Sequence, residues 1–512
     1  MTHTFAPGGE ARARIAVVGA GPAGLYAVTE LVESSHLVHI DVFERLPSPF
    51  GLVRYGVAPD NQKIKSVTRV LGAPFAHSAT VRFLGNVSFS RDISRDELRQ
   101  CYDAVIYAFG AEDGRVLDIP GSRLPGSFAA KEFVGWYSGH PNAAEHNFPL
   151  HGRGVAVVGA GNVALDVARV LARSAEEIAA TDVPDRVVTA LRSSRITDIY
   201  LLCRRGPAQM KFTPVELREL GELSNADLII DPTELALSES ERALLSGKPQ
   251  LERMISTLRQ WADRPLQGKP RRLHLRFLRS PAAILGDDHV NGVVVERNEL
   301  TDDGRARGSG QYEILDVNLV LHAVGYRVHP IADLPYDSGT QTIRNHGGRL
   351  MDEQGDVLPG EYVTGWAKRG PSGVIGTNRA DAAETVKNLL ADLPDLAPPR
   401  YDPHRTVIEL LEHRGVEVVD WAGWRRLDSH EIQAGERRGS PRVKTPDLAA
   451  MLDRAQPLAR EARRTPGPAP RARPGEHDDD PDVSSGVPES PPKPHAQSAS
   501  QPRSTTQSLR RS

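Results

Sequence analysis

The chain has 512 residues, room for two or three domains, and its 39% hydrophobic and 25% charged content is that of an ordinary globular protein. A net charge of −3 argues against a general nucleic-acid binder, and no apolar run is long enough for a membrane span. Two cysteines, Cys101 and Cys203, exclude a disulfide framework and leave no iron–sulfur or zinc spacing, so no metal site is expected. The first fourteen residues lack the apolar stretch of a secretory signal, and the expected compartment is the cytoplasm.

The first informative element is the apolar run Ile15-Ala16-Val17-Val18, followed by Gly19-Ala20-Gly21-Pro22-Ala23-Gly24 and a predicted helix over 22–34. A glycine turn between strand and helix lets backbone approach a pyrophosphate, which the helix N-terminus attracts. The next predicted strand, 38–43, ends on Glu44, where a carboxylate accepts hydrogen bonds from an unmodified ribose. The stretch Pro49-Phe50-Gly51-Leu52-Val53-Arg54-Tyr55-Gly56-Val57-Ala58-Pro59-Asp60 follows. A buried-strand pattern over 102–110 ends in Gly110, and the turn formers after it place a domain crossing near 110.

The pattern then repeats. Val155-Ala156-Val157-Val158 precedes Gly159-Ala160-Gly161-Asn162-Val163-Ala164, a predicted helix over 163–175, an insertion, and a strand over 199–203. This strand ends on Arg204-Arg205, a guanidinium pair suited to a ribose 2′-phosphate. Opposite charges after the two fingerprints point to two dinucleotides, FAD first and NADPH second, and so to hydride transfer.

Further strands are predicted at 273–278, 290–296 and 315–323. The last closes on Val324-Gly325-Tyr326-Arg327, an echo of Ala108-Phe109-Gly110 that suggests a chain leaving the first domain and returning to it. Gly365-Trp366-Ala367-Lys368-Arg369-Gly370-Pro371-Ser372-Gly373-Val374-Ile375-Gly376-Thr377-Asn378 puts a glycine-rich bend before a helix starting near Gly376. Its N–H groups and dipole suit a flavin ring that becomes anionic on reduction, with Trp366 as a cover. Val407, Leu410 and Leu411 recur at helical spacing in a packed appendage, whereas 457–512 holds 11 prolines and no aromatic residue. Such a segment is expected to be a disordered tail. The expected class is α/β, with two Rossmann-like dinucleotide-binding domains. Residues 11–110 and 321–400 form the FAD domain, 111–320 the inserted NADP domain, 401–456 the appendage and 457–512 the tail.

The two fingerprints, the Pro49–Asp60 stretch, Arg204-Arg205-Gly206-Pro207 with Phe212, Thr213 and Glu216, and the Gly365–Asn378 stretch resemble one family. It is the adrenodoxin-reductase-like ferredoxin–NADP+ reductases, FAD enzymes of the glutathione-reductase structural group, and the resemblance spans about residues 13–390 and extends to the appendage. It implies FAD held by Gly19, Ala20, Gly21, Gly24, Glu44, Leu52, Val87, Trp366 and the Gly373-Val374-Ile375 backbone. It implies NADP(H) held by Ala160, Gly161, Asn162, Val163, Arg204, Arg205, Glu216 and Gly373. The implied reaction is hydride transfer from NADPH to flavin N5, then single-electron transfer to an external, acidic ferredoxin. Arg192, Arg195, Arg253, Arg259, Arg271 and Arg272 are candidate docking cations; no nucleic-acid or membrane partner is expected, and nothing in the sequence demands more than a monomer.

Three other readings compete. A small subunit of the glutamate-synthase kind would carry a cysteine-rich iron–sulfur segment, which two cysteines cannot build. A flavin-binding scaffold without turnover has no need of the nicotinamide-side residues. An NADPH oxidase or diaphorase acting on quinones stays open.

At one position the chain departs from the family pattern. Where the family has His after Val-Ala-Pro-Asp, near a Glu of the second domain, this chain has Asn61, and the matching carboxylate is Glu219. Asn cannot titrate, so turnover is expected to vary little with pH near neutrality. Asn61→His is expected to introduce a pH-dependent step there, and a pH–rate profile unchanged by the substitution contradicts this.

Overall fold

The computed structural model describes residues 13–457, so the expected tail lies outside the described residues except for Pro457. The first sheet has seven strands, in the order Asn345–His346, Arg349–Met351, Val357–Val363, Ala104–Tyr107, Ala13–Val18, Val38–Glu44 and Val81–Gly85. The five strands from Val357–Val363 to Val81–Gly85 run parallel. Ile15, Ala16 and Val17 are fully buried, as expected for a parallel strand covered on both faces.

A late strand joins this early sheet through a buried carboxylate. Glu361, on Val357–Val363, accepts Arg95 Nε at 2.7 Å, Arg95 Nη2 at 2.6 Å and the Tyr107 hydroxyl at 2.9 Å. Leaving the sheet and coming back takes the chain through a short antiparallel ribbon, in which Asp113–Gly114 pairs with Tyr326–Arg327. Both strands of this ribbon follow a glycine with positive φ, Gly110 at 78° and Gly325 at 110°.

Between the ribbon strands lies a second, six-stranded parallel sheet. Its order is Ser127–Ala129, Leu319–His322, Gly154–Val158, Asp198–Cys203, Arg271–Phe277 and Ala226–Ile230. Three antiparallel strands, Arg279–Leu285, Gly292–Leu300 and Ala306–Leu315, form a separate sheet. The expected strand over 315–323 is therefore two elements, because Leu315 ends the third antiparallel strand and the parallel strand starts only at Leu319. The helix expected over 163–175 runs from Asn162 to Ala172. Ser174 then caps a new helix, Ala175–Ala179, by accepting from Glu177 N in a capping box. With Asp185–Arg192, this makes the insertion two helices.

The appendage comprises helices Pro403–His413, Trp421–Arg438 and Leu448–Ala455. Val407 and Leu411 are buried in one core cluster of the first half, and Trp424, Leu427 and Met451 in the other. Trp421 stacks on Phe75 with ring centroids 4.6 Å apart. Among the described residues no helix is long and apolar enough to cross a membrane.

Candidate functional site

At the first fingerprint, Gly19 (φ 109°) lies so close to the neighbouring strand that a Cβ would sit 2.6 Å from the Ala108 carbonyl oxygen. A Cβ on Gly24 would sit 2.1 Å from the Gly19 carbonyl oxygen, so Gly24 sets how closely helix Pro22–Glu33 meets its strand. Gly21 behaves differently. Its Cβ would meet nothing within 4 Å, and no side chain caps the helix that starts beside it. The turn therefore presents uncapped N–H groups to open space.

Glu44 lies at the end of the next strand, largely buried. Its Oε2 accepts Ala20 N at 2.9 Å and its Oε1 accepts Leu46 N at 3.2 Å. Burial raises its pKa, against the pull of Arg45 and these two N–H groups. Each oxygen keeps a free lone pair, so the carboxylate can brace the turn and still accept from a ribose hydroxyl.

The Pro49–Asp60 and Gly365–Asn378 stretches close around this turn. Gly51 packs against it, since a Cβ there would lie 3.0 Å from Gly21 Cα, and Leu52 beside it is 37% exposed. Gly365 (φ 74°) touches the fingerprint helix, where a Cβ would come within 2.4 Å of Ala23 Cβ. Trp366 is half-buried and donates Nε1–H to the Ser372 carbonyl at 3.0 Å. Gly373 has φ 82°, Val374 is 59% exposed, Ile375 is half-buried, and helix Thr377–Asp392 starts at Gly376 with no side-chain cap. The two helix N-termini thus lie close together at Gly365, where a Cβ would be 2.4 Å from Ala23 Cβ and 3.6 Å from Asn378 Oδ1, and helix N-termini favour an anionic ligand. Val87 is buried, and its N–H donates to the Glu44 carbonyl at 2.9 Å.

In the second half the same geometry recurs. A Cβ on Gly159 would sit 2.4 Å from the Ala323 carbonyl oxygen, while one on Gly161 meets nothing within 4 Å. Ala160 and Asn162 hold the following loop in place, because the Ala160 carbonyl accepts Lys211 N at 3.0 Å and Asn162 Oδ1 accepts Thr213 N at 3.1 Å. Val163 is half-buried in the first turn of the helix. Arg204 is exposed and Arg205 half-buried. Their carbonyls accept Asn298 Nδ2 at 2.8 Å and Leu278 N at 3.2 Å. Neither guanidinium has an ion-pair or hydrogen-bond partner among the described residues.

Glu216 and Glu219 sit one turn apart on helix Pro214–Gly221. The Glu216 carboxylate is buried and its Oε2 has no hydrogen-bond partner among the described residues. Glu219 Oε2 lies 2.9 Å from Arg169 Nη1. Asp60, the last residue of the Pro49–Asp60 stretch, accepts Arg169 Nε at 2.7 Å, Arg169 Nη2 at 2.9 Å and Arg173 Nε at 3.0 Å. Asn61 N-caps helix Gln62–Lys65 by accepting Ile64 N at 3.3 Å. A residue replacing Asn61 therefore has a helix start to satisfy as well as any proton to handle.

Sequence reasoning missed Arg169 and Asp166. They form an i,i+3 pair on an otherwise apolar helix, with Arg169 Nη2 2.9 Å from Asp166 Oδ1, and that pair was the available signal. One of the six candidate docking arginines is not available. Arg271 is buried and donates to the Leu171 and Arg173 carbonyls at the end of the second fingerprint helix. Arg272 is paired with Asp198 at 2.5 Å. Their alternation along an inner strand turns one inward and the other onto a partner.

Residues 13–201 match the pyridine nucleotide-disulphide oxidoreductase family. The NADPH-ferredoxin reductase FprA of Mycobacterium tuberculosis is 42% identical over 453 residues, covering 86% of this chain and 98% of the relative. The mitochondrial NADPH:adrenodoxin oxidoreductase of Homo sapiens is 40% identical over 456 residues, covering 86% and 91%. The chain belongs to this reductase family. A solved structure of Mycobacterium tuberculosis FprA in complex with NADPH superposes with a TM-score of 0.82 at 41% identity, covering 87% of this chain and all of that one.

The carboxylates around Arg169 give this family member a pH signature. Burial, with Asp60 and Glu216 nearby, outweighs Arg169 and pushes the Asp166 carboxyl up to about 7. The folded protein binds this proton more tightly than the unfolded chain, so the associated stability is complete below the ordinary carboxyl range and is lost as pH rises through 7. Relative to wild type, Asp166→Asn is expected to gain stability as pH rises from 4 to 8, by up to about 4 kcal/mol, with little difference at pH 4. Denaturant unfolding at the two pH values checks the sign.

Proposed function

We infer that the chain is an FAD-dependent NADPH–ferredoxin oxidoreductase. The observation that carries the reading is the pair of uncapped glycine-turn helix starts, one answered by buried Glu44 and the other by the unpaired Arg204 and Arg205. A Cβ on Gly21 or Gly161 would point into open space at each turn, and both turns suit a dinucleotide pyrophosphate.

We assign FAD to the Gly19–Gly24 turn, Glu44, Leu52, the backbone at Val87, Trp366 and the Gly373–Ile375 bend. NADP(H) is assigned to Ala160, Gly161, Asn162 and Val163, with Arg204 and Arg205 on the 2′-phosphate. The unpartnered Glu216 Oε2 is an acceptor suited to a donor such as a carboxamide. The first and last parts of the folded chain then form the FAD domain, and the sheet between the ribbon strands the NADP domain. When bound, FAD accepts two electrons with a hydride and returns them singly, as a one-electron iron–sulfur acceptor requires.

The chain's own residues supply binding, orientation and electrostatics. Helix starts at Pro22 and Thr377 offer positive potential where negative charge gathers. Asp60 and Arg169 fix the two halves against each other, and so the approach of the two ligands. The relatives named for ferredoxin and adrenodoxin support an iron–sulfur partner over a quinone. A cytoplasmic setting agrees with two free, buried cysteines.

Anaerobic stopped-flow at 450 nm, with NADPH and NADH in parallel, tests the assignment. Fast bleaching by NADPH and much slower bleaching by NADH are expected. Replacing Arg204 and Arg205 together with Ala should lower the second-order rate for NADPH about a hundredfold while leaving NADH within about threefold. Equal response of the wild type to both nucleotides contradicts the 2′-phosphate assignment.

A further inference from the structure

The insertion between the second fingerprint helix and the strand ending at Cys203 carries a carboxylate that cofactor binding does not explain. Asp182 lies in the loop between helices Ala175–Ala179 and Asp185–Arg192, and only 2% of it is exposed. Its partners come from the other half of the molecule. Lys65 Nζ donates to Oδ1 at 2.8 Å and to Oδ2 at 2.6 Å, and Lys444 Nζ lies 3.1 Å from Oδ2. Lys65 closes the short helix that follows the Pro49–Asp60 stretch. Lys444 belongs to the strap between the last two helices of the appendage.

The strap is itself tied down at both ends of this contact. Lys444 Nζ also donates to the Arg54 carbonyl at 2.8 Å, inside the helix that carries Leu52. Buried Glu431 accepts Arg54 Nη2 at 2.6 Å and Thr445 N at 2.9 Å through the same oxygen. On the other side, Arg438 donates to the Thr181 carbonyl at 2.7 Å and to Asp185 at 2.9 Å, flanking Asp182. Three segments far apart in sequence therefore meet at one buried carboxylate: the flavin-side stretch, the insertion and the appendage strap. A buried ionic cluster adds little to net stability, but it tolerates few alternative arrangements, so it suits fixing a register.

We propose that Asp182 is a positioning residue that locks the two nucleotide-binding halves in register through Lys65 and Lys444, and that the appendage strap is part of the hydride-transfer machinery. The inference rests on the reductase reading above. A misplacement of about 1 Å between reacting groups costs on the order of a hundredfold in rate, which is the leverage such a lock has. Asp182, Lys65 and Lys444 are not among the residues assigned to the nucleotides, so the lock acts on orientation and not on affinity.

The test uses full-length, FAD-loaded wild type, Asp182→Asn and Lys444→Met. Flavin bleaching at 450 nm is followed over a range of NADPH concentrations, and amide hydrogen exchange over residues 51–57 and 443–445. In both variants the limiting rate is expected to fall about 10- to 100-fold, with half-saturating NADPH unchanged within about twofold. Exchange in those two segments is expected to speed up. An unchanged limiting rate, or a loss confined to NADPH affinity, overturns the proposal. Should Asp182→Asn give no folded holoenzyme, Arg438→Met, which removes the bonds to Thr181 and Asp185 together with those to Ser440 and Arg442 within the strap, is read in the same way. A normal rate with normal exchange in that variant overturns the proposal. A wild type that NADPH does not bleach overturns the reductase reading itself, whereas unaltered variants of a bleaching wild type overturn this proposal alone.

Discussion

Arg169 has no exposed surface, and the account of this protein depends on what it holds. Its guanidinium joins Asp60 of the first half to Asp166 and Glu219 of the second. A buried ion cluster repays its desolvation only when every partner is in place, so it specifies one arrangement more than it deepens stability. Asp60 ends the stretch whose Gly51 packs on the first fingerprint turn, and Arg169 lies on the helix that begins at the second. The two fingerprint turns are thereby coupled through one short chain of contacts. Burial is the main reason that Asp166 holds a proton up to about pH 7, with the neighbouring Asp60 and Glu216 carboxylates adding to it against the pull of Arg169.

Around that anchor the two sites share a backbone design and differ in charge. Each has one glycine forced by a close carbonyl and one facing open space, Gly19 with Gly21 and Gly159 with Gly161. Glu44 turns both oxygens to backbone N–H groups and so serves the turn as well as a ligand. Arg204 and Arg205 use only their carbonyls in the fold, leaving the side chains for an anion. In the proposed assignment, the sign of the residue after each strand separates an unmodified ribose from a phosphorylated one.

The fingerprints were legible in the sequence because their determinants are local: apolar strand, glycine turn, helix and an answering charge within one unit. The departure and return of the chain were also marked, by Gly110 and Gly325 ahead of the ribbon strands. What could not be read depends on partners far away. Asp60 and Arg169 are 109 residues apart, and Lys444 reaches a carbonyl 390 residues away. Arg271 looked like a surface cation, and only the neighbouring helix end shows why it is buried. The strand expected over 315–323 failed for a different reason, since the alternation Leu315-Asp316-Val317-Asn318-Leu319 reads as one continuous strand and does not reveal where one sheet hands over to another.

One chain is proposed to hold two dinucleotides at separate sites of opposite charge. Calorimetric titration of NADP+ and NAD+ into protein whose bound nucleotide has been identified and counted tests it most directly. One FAD per chain is expected to be retained throughout, with one NADP+ bound and NAD+ weaker by about a hundredfold. Displacement of FAD by NADP+, or equal binding of NADP+ and NAD+, would contradict it.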